Sequence, residues 1–162
     1  MIVKATSQDI SSIQTIAEQT WPVAYGEILS ANQIAYMLDL MYSQKVLLEQ
    51  MMHLNHHFFL FLAENNPIAF LSIEPNIEQR IAKIHKIYAL PSSQGKGVGK
   101  ALMQFAEQFC VEQQQTEIRL NVNRYNPAVD FYQKMGYAIL KEENIDIGNN
   151  YWMEDFVMHK VL

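Results

Sequence analysis

Apolar residues change their spacing several times along the chain, and each change marks a different kind of element. Ile2 to Ala5 is a short apolar stretch of the kind that forms a first strand. Thr6 and Asp9 have capping-box spacing, and Ile10, Ile13 and Ala17 then recur at helical intervals. Trp21-Pro22 is expected to end that helix, because proline has no N–H to continue the ladder. Ser30 and Gln33 repeat the capping-box spacing ahead of Ile34, Met37 and Leu38. Ser43 can cap a third short helix that carries Val46, Leu47 and Met51.

After His57 the period shifts. Phe58 to Ala63 is an apolar, aromatic run suited to a buried strand. Asn65-Asn66-Pro67 is turn chemistry, so Ile68 to Ile73 completes a hairpin. Arg80 to Leu90 predicts a longer third strand of this group, and Gln94 to Gly99 a glycine-rich loop. The helix that follows runs to about Gln114. Its stripe is Val98, Leu102, Phe105 and Phe109, with Lys100, Gln104, Glu107 and Glu112 on the wet side.

Ile118, Leu120 and Val122 alternate with polar residues, as in a half-buried strand. Asn126-Pro127 reads as an N-cap with proline at the first helical position, and Gly136 as the residue past that helix's end. Tyr137 to Leu140 and Tyr151 to His159 read as two closing strands joined by a polar loop containing Gly148. Residues 1–162 thus form one domain with the order strand, helices, three strands, helix, strand, helix, two strands. That is a mixed α/β (α+β) fold on a single sheet.

Composition narrows the class. Hydrophobic residues make up 49% and charged residues 18%, so a real core can be buried. The net charge of −5 argues against nucleic acid, which demands clustered Lys and Arg, and suits a cationic small substrate. Cys110 is the only cysteine, so no intrachain disulfide is possible, and it reads as a small core residue. The first residues are too short an apolar run for a signal peptide, and no stretch approaches the roughly 18 apolar residues of a membrane span. The cytoplasm is the expected compartment. His53, His56 and His57 match no standard zinc spacing and no cysteine accompanies them, so no metal is expected.

The strongest chemical signal is Gln94-Gly95-Lys96-Gly97-Val98-Gly99-Lys100, placed between a strand and a helix. Its glycines remove Cβ atoms that would hold a ligand off the backbone. The first N–H groups of the helix are unpaired, the helix dipole adds positive potential, and Lys96 and Lys100 add charge. Together these make an anion site. A magnesium-dependent nucleotide loop would need Ser or Thr after Gly99-Lys100, where Ala101 stands. The G-x-G-x-x-G dinucleotide fingerprint fails by one residue and by its mid-chain position.

At this point the chain resembles the GCN5-related N-acetyltransferases. Gln94, Gly97 and Gly99 stand at the matching positions of that family's Q/R-x-x-G-x-G/A motif, and Ile87-Tyr88-Ala89-Leu90-Pro91 resembles the strand-to-loop segment before it. Asn126-Pro127-Ala128-Val129-Asp130-Phe131-Tyr132, with Met135-Gly136-Tyr137, resembles the second cofactor motif. Within the family, the chain looks loosely closest to bacterial polyamine and small-amine acetyltransferases. The resemblance implies a twisted, mostly antiparallel sheet of about seven strands, flanked by helices and splayed where acetyl-CoA enters. It implies that Gln94, Gly95, Lys96, Gly97, Val98, Gly99 and Lys100 hold the pyrophosphate. Backbone groups of Ile87, Tyr88 and Ala89 would pair with the pantetheine arm as an added strand. The Ala89 N–H would face the oxyanion, Asn126 the pantetheine, and Tyr132 the sulfur.

The implied reaction is acetyl transfer from acetyl-CoA to a primary amine of a small amine, a polyamine or a peptide, by direct attack in a ternary complex. An alkylamine titrates near 10.4, so only about one molecule in 2,500 is a free nucleophile at neutral pH, and a proton acceptor is needed. Tyr132 is the candidate acid, with a core aromatic as the plainer alternative. Where relatives carry a glutamate, this chain has Lys83-Ile84-His85-Lys86. His85, expected on the same strand face as Lys83, Ile87 and Ala89, and Glu74 on the neighbouring strand are the candidate bases. A solvated strand edge is the alternative for both. Trp21, Tyr25, Glu27 and Tyr36 are candidates to line the amine pocket, with core packing as their alternative. A domain that binds a CoA ester without catalysis is the competing function. The closing strands offer an edge that could pair in a homodimer.

Overall fold

The apolar runs are realised as one sheet covered on both faces, which is why its middle strands carry few polar positions. The computed structural model describes residues 1–162. Its strands are β1 (Ile2–Lys4), β2 (His57–Ala63), β3 (Asn66–Glu78), β4 (Ile81–Ala89), β5 (Glu117–Asn123), β6 (Ala138–Gly148) and β7 (Tyr151–Val161). Its helices are α1 (Ile10–Tyr25), α2 (Ala31–Tyr42), α3 (Gln44–Met52), α4 (Val98–Glu112) and α5 (Ala128–Lys134). The strand order is β1-β2-β3-β4-β5-β7-β6, and only the β4–β5 pair is parallel.

The alternation within β2 shows how the two faces are filled. Phe58 and Leu60 point into a core built with Ile13, Ala17, Trp21, Met37 and Leu47 of α1–α3. Phe59 joins the opposite core with Leu102, Met103 and Ala106 of α4 and with Ile118 and Leu120 of β5. Cys110 is fully buried in that second core, and burial pushes its thiol up to about 12. No helix is long and apolar enough to cross a membrane.

Local signals set most boundaries. Thr6 and Asp9 form the full capping box, with the Thr6 N–H donating to Asp9 Oδ2 at 2.8 Å. Ser30 and Ser43 accept from the N–H groups of Gln33 and Val46. The Gln33 amide does not close a box; it reaches Trp152 O at 3.0 Å and ties α2 to β7.

Three further expectations are corrected. α1 does not stop at Trp21-Pro22 but continues through Pro22 to Tyr25. Proline leaves one carbonyl of the preceding turn unpaired without forbidding helical dihedrals, and one more turn carries Tyr25 to the site. The segment after Leu140 is not a loop. β6 runs to Gly148, and a two-residue turn at Asn149-Asn150, both with positive φ, joins it to β7. Finally, a bulge breaks the alternation in β4. Ser72 pairs with Lys86 but Ile73 pairs with Ile84, so His85 is the extra residue. Ile84, Ile87 and Ala89 therefore share the α4 face, and Tyr88 packs on the other.

Gly148 closes the long hairpin at φ +85°, and a Cβ there would lie 2.9 Å from the Tyr36 hydroxyl, which donates to Ile147 O at 2.6 Å. Replacing Gly148 by alanine is expected to cost about 1–3 kcal/mol through strain and loss of that latch, read as a lower thermal midpoint.

Candidate active site

The site begins where two parallel strands stop pairing. β4 and β5 are joined only from Ile81–Ile84 to Glu117–Leu120. Beyond Ile84, β4 continues to pair with β3 as far as Ala89, but its other edge faces a cleft of about 700 Å³. His85, Lys86, Ile87, Tyr88 and Ala89 line one wall, and Asn121, Val122, Asn126, Phe131 and Tyr132 the other. An edge with unpaired N–H and C=O groups inside a cleft accepts an extended chain as an extra strand.

The glycine turn closes the far end. Gly95 and Gly97 have φ of +76° and +78°, and a Cβ on either would face open space. Glycine is required there by the dihedrals, not by crowding. Gly97 is the N-cap of α4, so helix geometry leaves the N–H groups of Val98, Gly99 and Lys100 without intrahelical partners. Gln94, Gly95, Gly97, Val98, Gly99 and Lys100 line the cleft; Lys96 does not. These features fit a diphosphate joined to a linear amide arm.

Asn126 accepts from the Ala128 N–H at 2.9 Å, which starts α5 and fixes Asn126 at the cleft. Tyr132 is only 8% exposed and lines the cleft. Burial and the Tyr25 phenol raise it well above its ordinary 10.0. The phenol therefore stays protonated at neutral pH and serves as a hydrogen-bond donor more readily than as a full proton donor.

A second, smaller cavity of about 110 Å³ adjoins the cleft. Tyr25, His85, Lys86, Tyr88, Asn121 and Val122 line both. The Tyr25 and Tyr88 hydroxyls lie 2.8 Å apart, which locks the two rings at the junction. Trp21 lines the smaller cavity, 4.8 Å from Tyr25 between ring centroids. Glu27 is exposed and lines neither cavity, and Tyr36 is engaged with the β6–β7 hairpin. Among the lining residues not anticipated from the sequence are Lys86, Asn121 and the buried Asp155. The signal for Asp155 was a charge at an inward-facing position between Met153 and Val157.

His85 and Glu74 are brought together, with His85 Nε2 2.7 Å from Glu74 Oε2. His56 stacks on His85 at 4.1 Å with the planes 13° apart, and also approaches Glu74, at 3.4 Å. The in-plane lone pairs of parallel rings do not converge on one ion, so this is a hydrogen-bonded histidine–carboxylate group and not a coordination geometry. Burial, with the neighbouring His56, Lys83 and Lys86, drives His85 far below its ordinary range, and burial with Lys86 brings His56 to about 4. Both imidazoles are neutral at pH 7. With Glu74 ionised, His85 donates its Nε2 proton to the carboxylate.

A strand edge freed beside a glycine-bound helix start, with a phenol across the gap, defines an acyl-CoA-dependent transferase. The chain belongs to the acetyltransferase (GNAT) family, whose model matches residues 12–137. It is 30% identical over 158 residues to a spermidine N(1)-acetyltransferase of Thermoplasma acidophilum, covering 94% of each chain. It is 23% identical over 168 residues to an uncharacterized N-acetyltransferase of Lactobacillus delbrueckii subsp. lactis, covering 99% of this chain and 96% of the other. The crystal structure of the PaiA N-acetyltransferase from T. acidophilum with coenzyme A superposes with a TM-score of 0.84 at 26% identity, covering 100% of this chain and 98% of that one. A GCN5-related N-acetyltransferase from Rhodopseudomonas palustris matches in fold, with a TM-score of 0.85 at 16% identity over 100% and 95% of the two chains. The protein is an acetyl-CoA-dependent N-acetyltransferase.

Two outcomes follow. Gly97→Ala is expected to weaken coenzyme A binding by about tenfold or more while costing only about 1–2 kcal/mol of stability, separated by calorimetry and thermal melting. Because His56 and His85 are held neutral, the unfolded chain binds more protons than the native one below the ordinary histidine value of 6.5. Stability should therefore fall as pH drops from about 6.5 to 5, and His56→Gln should flatten that slope in urea titrations.

Proposed function

We propose that this enzyme acetylates a primary amine of a small cationic acceptor, polyamine-like in chemistry, by direct attack on the thioester within a ternary complex. The observation that carries this reading is the shared wall of the two cavities: an amine in the smaller one meets a thioester in the larger one at Tyr25, His85 and Tyr88. The aromatic lining and the net charge of −5 favour a cation. The similarity to a spermidine N(1)-acetyltransferase supports the polyamine class. Cys110, the only thiol, is buried in the α4 core with a raised pKa, so no covalent acetyl-enzyme is invoked.

In this reading the N–H groups at the start of α4 and the turn from Gln94 hold the pyrophosphate, and Lys100 adds charge. Ile87, Tyr88 and Ala89 pair through their backbones with the pantetheine arm, assisted by Asn126. The amine nitrogen attacks the carbonyl carbon, and the Ala89 N–H stabilises the oxyanion. The C–S bond then breaks, and the Tyr132 hydroxyl hydrogen-bonds the leaving sulfur. The amine's proton passes to His85. A neutral imidazole with so low a pKa is a weak base alone; the Glu74 carboxylate 2.7 Å away offsets the charge that develops on it.

The test is thiol release from acetyl-CoA with a panel of amines, varying both substrates. Intersecting double-reciprocal lines with a polyamine are expected, and parallel lines with acetylated protein would refute direct attack. Tyr132→Phe should lower kcat by about 100-fold with little change in KM for acetyl-CoA, and Glu74→Gln should lower kcat by about tenfold or more.

A further inference from the structure

We infer that Asp155 holds a second cationic group of the acceptor, so that this enzyme selects acceptors by a charge carried away from the reacting amine. The inference rests on reading the smaller cavity as the acceptor site.

Asp155 is 4% exposed and lines the smaller cavity but not the larger cleft. It therefore belongs to the smaller cavity's own wall, beside Asn121, which lines both. Its only hydrogen-bond partner is Asn121 Nδ2, at 3.2 Å, and that amide is shared with Glu143 at 3.0 Å. Arg124 directs its guanidinium to Glu142 and Glu154 instead, and no ion pair reaches Asp155. A buried carboxylate is ordinarily paired, and one left with a single shared donor is costly. Burial and Glu143 raise Asp155 above its ordinary 3.8, against the opposing pull of Asn121, Lys83 and Arg124.

Other features of the cavity suit a cationic ligand. The rings of Trp21 and Tyr42 line it with their centroids 5.8 Å apart, and the Trp21 N–H interacts with the Tyr42 hydroxyl. Its lining carries charges of both signs. The Lys86 ammonium, on the wall shared with the cleft, is bonded to Gln50 at 3.0 Å and lies over the Tyr42 and Phe58 rings. Asp155 stands on the wall that the cleft does not share. A cation entering between the aromatic walls is repelled by Lys86 and attracted by Asp155. A diamine spanning the junction would place one nitrogen at the thioester and the other at Asp155.

The experiment compares 1,4-diaminobutane with 1-aminobutane, equal in carbon number and different in charge, by calorimetry on the coenzyme A complex. The wild type is expected to favour the diamine by at least about tenfold, and Asp155→Asn to reduce that ratio below about threefold. Asp155→Asn should also raise the thermal midpoint of the free protein, because it removes an unpaired buried charge; a purely structural carboxylate would give a lower one. Asp155→Ser serves as the second variant should the amide fold poorly. A wild type that binds both amines equally, or variants that keep the preference, would overturn the inference. Diamine preference lost in the variants but with no acetyl transfer to any amine would instead strike down the acceptor-site reading and leave the cation site standing. Transfer without charge discrimination would do the reverse.

Discussion

The structure depends on how briefly β4 and β5 pair. Four aligned residues from Ile81 to Ile84 hold the sheet together, and then the strands part. Each backbone group freed within the cleft would cost on the order of 1–3 kcal/mol if it found no partner. The gap is sustained because both strands are held from their other sides, β4 by β3 and β5 by β7. A linear amide arm would satisfy the exposed edge in the way another strand does.

The same parting fixes the chemistry around it. α4 begins at the cleft, where its first residues Val98, Gly99 and Lys100 form part of the lining. α5 contributes Phe131 and Tyr132 to the same cleft that Ala89 lines. The bulge at His85 turns that residue toward Glu74 and away from the regular alternation, at the point where cleft and smaller cavity meet. Helices α1 and α2 complete the second cavity, with the last turn of α1 past Pro22 supplying Tyr25. Two buried cores on opposite faces of one sheet thus converge on a single junction.

Much of this was legible in the residues. Period and caps gave the element order, and the glycine loop with the Asn126 to Tyr132 segment marked residues that line the cleft, because both are local: dihedral demands and helix starts are written in adjacent residues. What could not be read depends on long-range pairing. The bulge in β4 is a register fact that needs β3 as its reference. The extension of β6 through Lys141-Glu142-Glu143 looked like loop because an exposed edge strand carries no apolar alternation to mark it. Glu27 looked apt as a cation partner, but the turn after α1 leaves it in solvent. Asp155 stood unnoticed in a closing strand because its burial is decided by α1 and α2, more than a hundred residues away in sequence.

The central claim is that a freed strand edge and a glycine-bound helix start together receive coenzyme A. Amide hydrogen exchange on the protein with and without coenzyme A tests it most directly. Slowed exchange confined to residues 85–89 and 94–100, with β2 and β6 unchanged, is the expected pattern. Saturating coenzyme A that leaves both segments exchanging as in the free protein would contradict it.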